Sequence, residues 1–352
     1  MARLRRTDCS GKGIHRVRRG RGFAYVGSSR EPVTDSETLE RIRELVIPPA
    51  WRDVWICPYP NGHLQAVGSD AAGRKQYLYH QDWRRRRDQE KFDHMIEFAR
   101  RLPRIRSATS AHLARRGFSQ SRVLACAVRL LDRGFFRIGT EDYAEQNQTY
   151  GLATMRKRHV ALSEGGVVTF DYRAKSGKRR IESVVDQDVY KVVAALKRRA
   201  VGGEELLAYK RGADWFDVKS SDINSYIKEI AGAEFTAKDF RTWSATVLAA
   251  VALAVSGPAA ASPTARKRAE SRTVQEVAHY LGNTPAVCRA SYIDPRVFDR
   301  FRAGVTVAGA LEELGDVEAG QRAIQGPIEL AVLDLLQGVD SEALEQVEEL
   351  AS

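Results

Sequence analysis

One tyrosine follows a predicted turn between two helices, in the segment AHYLGNTPAVCRASY that ends at Tyr292. Gly282 stands where a helix end is expected, Thr284 can cap the next helix, and Pro285 suits its first position. Asn283 therefore lies in the turn, and Tyr292 follows nine residues after it, about two and a half helical turns away. We interpret Tyr292 as a nucleophile; the alternative is a core tyrosine in an ordinary helical hairpin.

Four cations elsewhere in the chain could bind an anion near such a nucleophile. Arg137 lies between apolar residues in FFRIG, so its guanidinium needs an anionic partner, which could equally be a protein carboxylate. Lys175 is predicted at the rim of a β-hairpin turn, where a lysine is usually solvated but can reach into an adjacent groove. Lys238 and Arg241 lie one turn apart at the start of a predicted helix, where cations oppose the helix dipole and therefore favour a nearby anion.

Helices and one β region must position these side chains. The apolar periodicity predicts helices over residues 119–133, 186–199, 221–231 and about 236–255, and a long basic helix over 262–282. Strand-like runs over 158–162, 167–173 and 179–184 form the β region. The second turn of this region carries Lys175.

A small antiparallel sheet is predicted earlier in the chain. Its strand-like runs cover residues 51–57, 63–67 and 76–80. Asn61-Gly62 is expected to form the hairpin turn between the first two runs. Thr34 and Glu37 suit a capping box before a short helix over 37–45, and residues 1 to about 30 are expected to be a mobile basic arm.

Side chains that could contact nucleic acid follow the third run and the start of the next helix. Cations, an amide and aromatic rings are interleaved at Arg74, Lys75, Gln76, Tyr77 and Tyr79. Such a mixture can read a groove of duplex DNA, although aromatic residues at a sheet edge serve as often for packing. Four further cations open a helix predicted over 82–101, namely Arg84, Arg85, Arg86 and Arg87. We interpret this helix as the boundary between a domain of residues 1–89 and one of 90–352.

The charge distribution indicates a polyanionic partner. The chain has 56 Lys and Arg against 45 Asp and Glu, a formal charge of +11. Residues 304–352 contain eleven acids and one base, Arg322, which leaves +21 on residues 1–303. Nucleic acid fits this charge better than an acidic membrane because no amphipathic basic helix stands out; a merely soluble surface is the alternative. We interpret residues 304–352 as an acidic C-terminal tail.

The sequence also argues against several classes of site. The four cysteines are too widely spaced for a zinc motif and too few for a disulfide framework, so we expect reduced thiols. The N-terminus lacks the apolar stretch of a signal peptide, and the longest apolar run, 245–255, is too short to cross a bilayer. The sequence has no HExxH pair and no phosphate-binding loop. We expect no metal, no cofactor and no membrane partner, and a cytoplasmic protein associated with the nucleoid.

Several motifs together resemble the type IB DNA topoisomerases, most closely the small poxvirus and bacterial enzymes. They are GRKQYLYH, FFRIG followed by Tyr143, the hairpin KSGK, KDFRTW, and LGNTP followed by Tyr292. The resemblance extends from about Ile47 to Tyr292. It implies an α+β fold with a small N-terminal antiparallel β-rich lobe and a larger, mainly helical catalytic lobe that contains a three-stranded sheet. The two lobes of this family close around duplex DNA as a clamp.

The resemblance also implies a role for each candidate residue. Tyr292 would be the nucleophile, Arg137, Arg241 and Asn283 would bind the scissile phosphate, and Lys175 would be the general acid. The activity implied is relaxation of supercoiled duplex DNA through a 3′-phosphotyrosyl intermediate, by a monomer, without ATP or metal. Tyr143 and Lys238 would contact the DNA near this site.

The chain departs from the family pattern at several positions. Poxvirus-type enzymes have histidine where this chain has Asn283, and lysines where it has Thr140 and Asp142, which puts a strict target sequence in doubt. The last sixty residues find no useful match. A site-specific tyrosine recombinase is the nearest alternative, but it usually has histidine at the position of Lys238. A non-catalytic DNA clamp is a third possibility, and it leaves the five catalytic candidates unexplained.

Overall fold

The computed structural model describes residues 3–232, 234–312, 325–339 and 344–346. The chain divides into two compact units, residues 1–92 and 93–352. The predicted domain boundary lay between residues 89 and 90. The division falls within a continuous helix, Gln81–Leu113, rather than in a linker.

An antiparallel sheet and one helix form the first unit. The elements are β1 Ile14–Arg19, β2 Gly22–Val26, α1 Ser36–Glu44, β3 Arg52–Ile56, β4 Leu64–Ser69 and β5 Lys75–Tyr79. The strand order is β2-β1-β3-β4-β5, so β5 is an edge strand. The core lies between α1 and the sheet, where the side chains of Ile14, Ile42, Val54, Ile56 and Ala66 are buried together.

The expectation of a mobile arm over residues 1 to about 30 is wrong, because β1 and β2 pair as a hairpin inside the sheet. Only Ile14 of β1 is buried, so the alternation that marks a strand is hidden among basic residues. One of these basic residues is structural: Arg16 donates hydrogen bonds to the carbonyl oxygens of Ile47, Pro48 and Trp51. The basic composition therefore concealed a folded segment.

Two local predictions in the first unit are also wrong. The N-cap of α1 is Asp35, whose carboxylate accepts from Thr38 N at 2.8 Å, and not a box formed by Thr34. The β3–β4 connection is longer than an Asn61-Gly62 hairpin turn, since β3 ends at Ile56 and β4 begins at Leu64. The buried amide of Gln65 organises this loop by donating to three of its carbonyl oxygens.

Helices dominate the second unit, and a three-stranded sheet lies among them. The helices are α2 Gln81–Leu113, α3 Gln120–Gly134, α4 Glu141–Asn147, α5 Gln187–Arg198, α6 Ser220–Ala231, α7 Ala237–Ser256, α8 Pro263–Leu281, α9 Pro285–Ser291, α10 Pro295–Arg302, α11 Ala308–Glu312 and α12 Pro327–Gln337. The strands are β6 Val160–Ser163, β7 Val167–Arg173, β8 Arg179–Val185, β9 Ala208–Arg211, β10 Asp214–Asp217, β11 Val305–Thr306 and β12 Glu345–Gln346. Strands β6-β7-β8 form the antiparallel sheet, and the other four pair as β9–β10 and β11–β12. The α+β class, with an N-terminal antiparallel sheet and a helical core, is confirmed.

Two features of the second unit differ from the prediction. Helix α2 does not end near residue 101 but continues through Pro103 to Leu113. Its apolar face is buried on both sides of the proline, at Leu102 and Ile105, and this packing offsets the lost backbone hydrogen bond. The hairpin of β9 and β10 was not anticipated.

The segment interpreted as an acidic tail is folded where the structure describes it. Helix α12 buries the side chains of Ile328, Val332, Leu335 and Leu336 in the second unit. Its apolar face was overlooked because acidic residues surround it in the sequence. The prediction of an acidic tail over residues 313–324, 340–343 and 347–352 lies outside the described part of the chain.

Helix α7 is a long and largely apolar element of the second unit. By length and composition alone, the stretch Ala237–Ala259 could cross a membrane. The apolar run over residues 245–255 recognised in the sequence is part of this stretch and is too short to do so. It packs against α3, α8 and α10, as a core helix does. Its central position allows one helix to support residues from several parts of the chain.

Two glycines fix the path of the backbone after α3. A Cβ added to Gly139 would lie 2.7 Å from Gly151 Cα, so the two backbones are in contact. Beside this contact, Leu152 N donates to Arg137 O at 2.8 Å and Ala153 N donates to Ile138 O at 2.7 Å. The loop that contains α4 is thus closed at its base, directly next to Arg137.

We predict that Gly151→Ala destabilises the protein by about 1–3 kcal/mol, the usual range for overpacking, because the new Cβ would lie 2.5 Å from Gly139 Cα. Urea denaturation monitored by circular dichroism measures this change. Gly22→Ala is the control, since its Cβ would meet only a carbonyl oxygen 4.0 Å away. Equal stability of the two variants would contradict the close contact.

Candidate active site

A tight turn joins α8 to α9 and places Asn283 between them. Gly282 ends α8 in the left-handed conformation, with φ 63°, which a side chain would strain. Asn283 N donates to Ala278 O at 2.9 Å, and Thr284 caps α9. The predicted helix end and cap are confirmed. Tyr292 follows the last residue of α9 and is half-buried.

Arg241 lies at the centre of the site. Its side chain projects from the first turns of α7, and the residue is only 5% exposed. Nη1 donates to Phe135 O, just after α3, and Nη2 donates to Leu281 O, at the end of α8, at 2.7 Å. The guanidinium carbon is 5.4 Å from the centre of the Tyr292 ring. Two helix ends thus fix a cation beside the phenol.

Arg137 and Asn283 contact each other in the same site. Arg137 Nη2 donates to Asn283 Oδ1 and to Gly282 O, the latter at 3.2 Å. This bond occupies the amide oxygen, while the buried Asn283 Nδ2 has no hydrogen-bond partner among the described residues. The amide is therefore oriented as a donor. Among the described residues no carboxylate lies within ion-pair distance of Arg137, so the alternative of a protein carboxylate partner is not supported.

The two guanidiniums change the acidity of the site. Burial alone favours the neutral phenol, but the charges of Arg241 and Arg137 outweigh it and lower the pKa of Tyr292 below its ordinary value. Burial and repulsion from Arg137 lower the pKa of Arg241 to about 10, with Tyr292 opposing that change. The site therefore favours a negative charge on the phenol oxygen. It also leaves positive charge that a bound anion would stabilise.

Lys175 lies across a cleft from these residues. It opens the β7–β8 turn, in which Ser176 and Gly177 have φ of 67° and 72°. The exposed ammonium is 6.0 Å from the ring centre of Tyr143 and lines a cleft of about 230 Å³ with Arg137. The structure thus brings Arg137 into contact with Asn283 and Arg241 into contact with Tyr292, and it places Lys175 at the edge of the site.

Sequence reasoning missed Arg180 and Glu182, which support the turn from the adjacent strand. Arg180, on β8, donates to His279 O at 3.2 Å and Tyr280 O at 2.5 Å, and also to Glu182. It therefore ties the hairpin of Lys175 to the last turn of α8. Burial raises the pKa of Glu182, although Arg180, Arg241 and Arg137 oppose this. The alternation in RRIES, residues 179–183, could have indicated this pair, because it puts Arg180 and Glu182 on the same face of β8.

Thr246 was also missed, and it fixes the backbone around Tyr292. It is fully buried on α7, and its hydroxyl oxygen lies 3.3 Å from Tyr292 O. The same oxygen accepts a hydrogen bond from Asp294 N at 3.2 Å. A single helix thus carries both Arg241 and the side chain that holds the chain at Tyr292. An isolated threonine in an apolar helix is the only sequence signal.

The DNA-binding candidates of the first unit form a group of their own. Tyr77 and Tyr79 are exposed on β5, with ring centres 6.1 Å apart and planes at 19°. Asp70, unremarked in the sequence, accepts from Arg74 Nε at 2.9 Å and Gln76 Nε2 at 3.0 Å. Lys75 is exposed. The edge strand β5 thus displays one cation and two tyrosine rings to solvent, while Asp70 holds the adjacent Arg74 and Gln76 side chains.

The remaining DNA-binding candidates are exposed cations on helices. Arg84, Arg85, Arg86 and Arg87 lie in the first turns of α2. Two of them make surface ion pairs, Arg85 with Asp82 at 3.4 Å and Arg87 with Glu90 at 3.0 Å. Lys238, exposed in the first turn of α7, also contributes to the lowered pKa of Tyr292. Within the described ranges, no three His, Cys, Asp or Glu side chains are grouped as a metal site would require.

Most of the chain is similar in sequence to known proteins. A family model described as the catalytic core of eukaryotic DNA topoisomerase I matches residues 80–315, and one for the N-terminal domain of bacterial DNA topoisomerase IB matches residues 22–70. The DNA topoisomerase 1B of Acanthamoeba polyphaga mimivirus is 32% identical over 291 residues, which cover 80% of this chain and 85% of the relative. The DNA topoisomerase 1B of Vaccinia virus (strain Copenhagen) is 22% identical over 66% of this chain and 71% of the relative. DNA topoisomerase 1 of Candidozyma auris is 29% identical over 45% of this chain, but only 20% of that relative is covered.

We predict that Arg241→Met raises the pKa of Tyr292, because it removes the nearest positive charge and keeps most of the side-chain volume. The measurement is a pH titration of tyrosinate absorbance, taken as the difference between each protein and its Tyr292→Phe counterpart. Arg289→Met, which removes a cation from α9 itself, is the control and should leave the titration unchanged. A Tyr292 that titrates at the same pH in Arg241→Met would contradict the electrostatic assignment.

Proposed function

The chain belongs to the type IB DNA topoisomerases, and we propose that it relaxes supercoiled duplex DNA by cutting and resealing one strand through Tyr292. The observation that carries this proposal is a buried guanidinium, that of Arg241, against the half-buried Tyr292, in a site where Arg137 also holds Asn283. The finer steps below are inferred from that geometry.

The first step is attack by the Tyr292 phenol oxygen on the phosphorus of a backbone phosphodiester. A phosphorus–oxygen bond forms to the tyrosine, and the bond to the 5′ oxygen breaks, which leaves a 3′-phosphotyrosyl ester and a free 5′-hydroxyl. Free tyrosine is only about one part in a thousand ionised at neutral pH. The lowered pKa of Tyr292 makes the phenolate more accessible.

The two guanidiniums stabilise the charge that develops on the phosphorane. Arg241 is held by backbone oxygens before any ligand arrives, so little reorganisation is needed during the reaction. Each preorganised donor of this kind contributes roughly 2.7–4 kcal/mol to transition-state stability. The free amide nitrogen of Asn283 supplies a further donor to a non-bridging oxygen.

Lys175 supplies the proton that the departing 5′ oxygen needs. Its ammonium is exposed at a hairpin tip and faces the same cleft as Arg137, so it can approach the leaving group when DNA is bound. The resulting 5′-hydroxyl strand can rotate around the intact strand. Reversal of the same steps reseals the backbone.

The cycle requires no external energy source. Exchange of one phosphodiester for another phosphate ester is nearly isoenergetic, so ATP is not needed to drive it. Guanidinium groups provide the positive charge that a metal ion provides in other phosphoryl-transfer sites. We propose a metal-independent reaction on these grounds.

The first unit is proposed as the DNA-clamping domain. Tyr77 and Tyr79 on an exposed edge strand, with Lys75 and Gln76, suit contact with a groove.

A single chain supplies all five catalytic candidates, which favours a monomer, and sedimentation of the protein on a short duplex would test this. The basic composition favours association with DNA in the cytoplasm, which localisation of a tagged chain would test.

We predict that the protein relaxes both positive and negative supercoils with EDTA present and ATP absent. Tyr292→Phe should abolish relaxation and covalent trapping while duplex binding persists, because only the nucleophilic oxygen is removed. Tyr190→Phe, which alters a half-buried tyrosine on α5, should relax plasmid normally. A strict requirement for Mg²⁺ or ATP, or normal trapping by Tyr292→Phe, would overturn the proposal.

The role of Lys175 can be separated from phosphate binding by changing the leaving group. Lys175→Ala should cleave ordinary DNA more slowly by roughly 10²- to 10⁴-fold, as expected on loss of a general acid. A thiolate leaves without a proton because thiol pKa values are about 8.5. A substrate with a 5′-bridging sulfur should therefore restore nearly normal cleavage by Lys175→Ala.

Two variants act as controls in that experiment. Lys178→Ala, on the same hairpin, should cleave both substrates normally. Arg241→Ala should be slow on both, because its role is at the non-bridging oxygens. Failure of sulfur to rescue Lys175→Ala would place the general acid elsewhere.

A further inference from the structure

A buried ion network lies behind Arg241 and joins helices α2, α3 and α12. Arg106 Nε and Nη2 donate to Asp132, both at 2.9 Å, and Nη1 donates to Glu329 at 2.5 Å. The side chains of Asp132 and Glu329 are 7% and 13% exposed. Burial disfavours the guanidinium charge, but bonds to Glu329 and Asp132 outweigh it and raise the pKa of Arg106 above its ordinary value. The network is therefore charged and firmly held.

Trp243 connects this network to the site. Trp243 Nε1 donates to Glu329 Oε1 at 2.9 Å, and the indole is 2% exposed. Trp243 follows Arg241 by two positions on α7, so the two side chains point about 200° apart around the helix axis. Backbone oxygens hold α7 at Arg241 on one side, and Glu329 holds it at Trp243 on the other.

The network also holds the end of α3. Asp132 lies in the last turn of this helix, three residues before Phe135, whose carbonyl oxygen accepts from Arg241, and five residues before Arg137. The bidentate bond from Arg106 therefore fixes the end of α3 relative to α7 and α12. Glu329 itself lies beyond residues 80–315, the part matched by the catalytic-core family model.

We propose that Glu329 is a positioning residue for the strand-cleavage reaction, acting through Trp243 on the orientation of Arg241. This inference rests on the proposed function. Loss of the Glu329 bond frees the indole and the rotation of α7, which displaces a guanidinium that must lie beside both the phosphate and Tyr292. Displacements of about 1 Å in such sites can cost on the order of 10²-fold in rate.

The test is single-turnover cleavage of a linear duplex with enzyme in excess, over a range of pH. Glu329→Ala and Trp243→Phe should each cleave about 10- to 100-fold more slowly while binding duplex normally. The rise of the cleavage rate with pH should also move to higher pH, because a displaced Arg241 lowers the pKa of Tyr292 less. The double variant should be no slower than the slower single variant, since both changes break one connection.

Two further variants control the experiment. Asp334→Asn removes a carboxylate from the same helix, at a position for which the described residues offer no side-chain partner, and should cleave at the wild-type rate. Glu329→Gln keeps an oxygen for Trp243 and should fall between Glu329→Ala and wild type. If Glu329→Ala does not fold, Trp243→Phe and Glu329→Gln carry the test.

The outcomes separate this inference from the proposed function. The positioning role of Glu329 would be overturned if Glu329→Ala and Trp243→Phe cleave at the wild-type rate with the wild-type pH profile. It would also be overturned if both variants cleave more slowly but with an unshifted pH profile, because that result would mean a purely structural role. If the unaltered protein forms no covalent adduct with DNA, the proposed function fails, and this inference fails with it.

Discussion

The structure of the site depends on one buried cation. Burial of a guanidinium is costly unless its donors are satisfied. Arg241 meets this requirement in part: its two terminal nitrogens donate to neutral carbonyl oxygens of Phe135 and Leu281, at the C-terminal ends of α3 and α8, while its buried Nε has no partner among the described residues. Helix C-termini carry partial negative charge, so two helix dipoles stabilise the ion without neutralising it. A carboxylate partner would have cancelled the positive charge of Arg241. With carbonyl partners, that charge remains available to a bound anion.

This requirement explains much of the surrounding architecture. Two helix ends must meet at one guanidinium, so α3 and α8 are each fixed by further contacts. Arg180 holds the last turn of α8 from the neighbouring sheet, and Arg106 holds the last turn of α3 through Asp132. Thr246 then places the backbone of Tyr292 against the same helix that carries Arg241. The positions of the reactive groups are thus consequences of how helix ends are held.

The sequence indicates the candidate reactive residues more readily than the residues that support them. Asn283 could be placed in a turn because Gly282, Thr284 and Pro285 each have a local conformational meaning. Glu329 has none, because its side-chain contacts are with Arg106 and Trp243, which are 223 and 86 positions away in the chain. The same limit applies in the first unit, where the sequence predicts a mobile arm in place of β1 because most side chains of this strand are basic and face solvent or backbone oxygens. Charge alone does not show whether a basic segment is folded.

The contact between Arg137 and Asn283 has a chemical consequence. A histidine in the turn could donate to phosphate as well, but its charge would change near neutral pH. The amide of Asn283 does not titrate, and the bond from Arg137 to its oxygen fixes which end faces a ligand. The donor set around a bound phosphate is then the same at all pH values where the arginines stay charged, and the pKa of Arg241, about 10, sets the upper limit of that range. In the proposed reaction, the pH dependence of nucleophilic attack below that limit rests on Tyr292 rather than on the groups proposed to bind the phosphate.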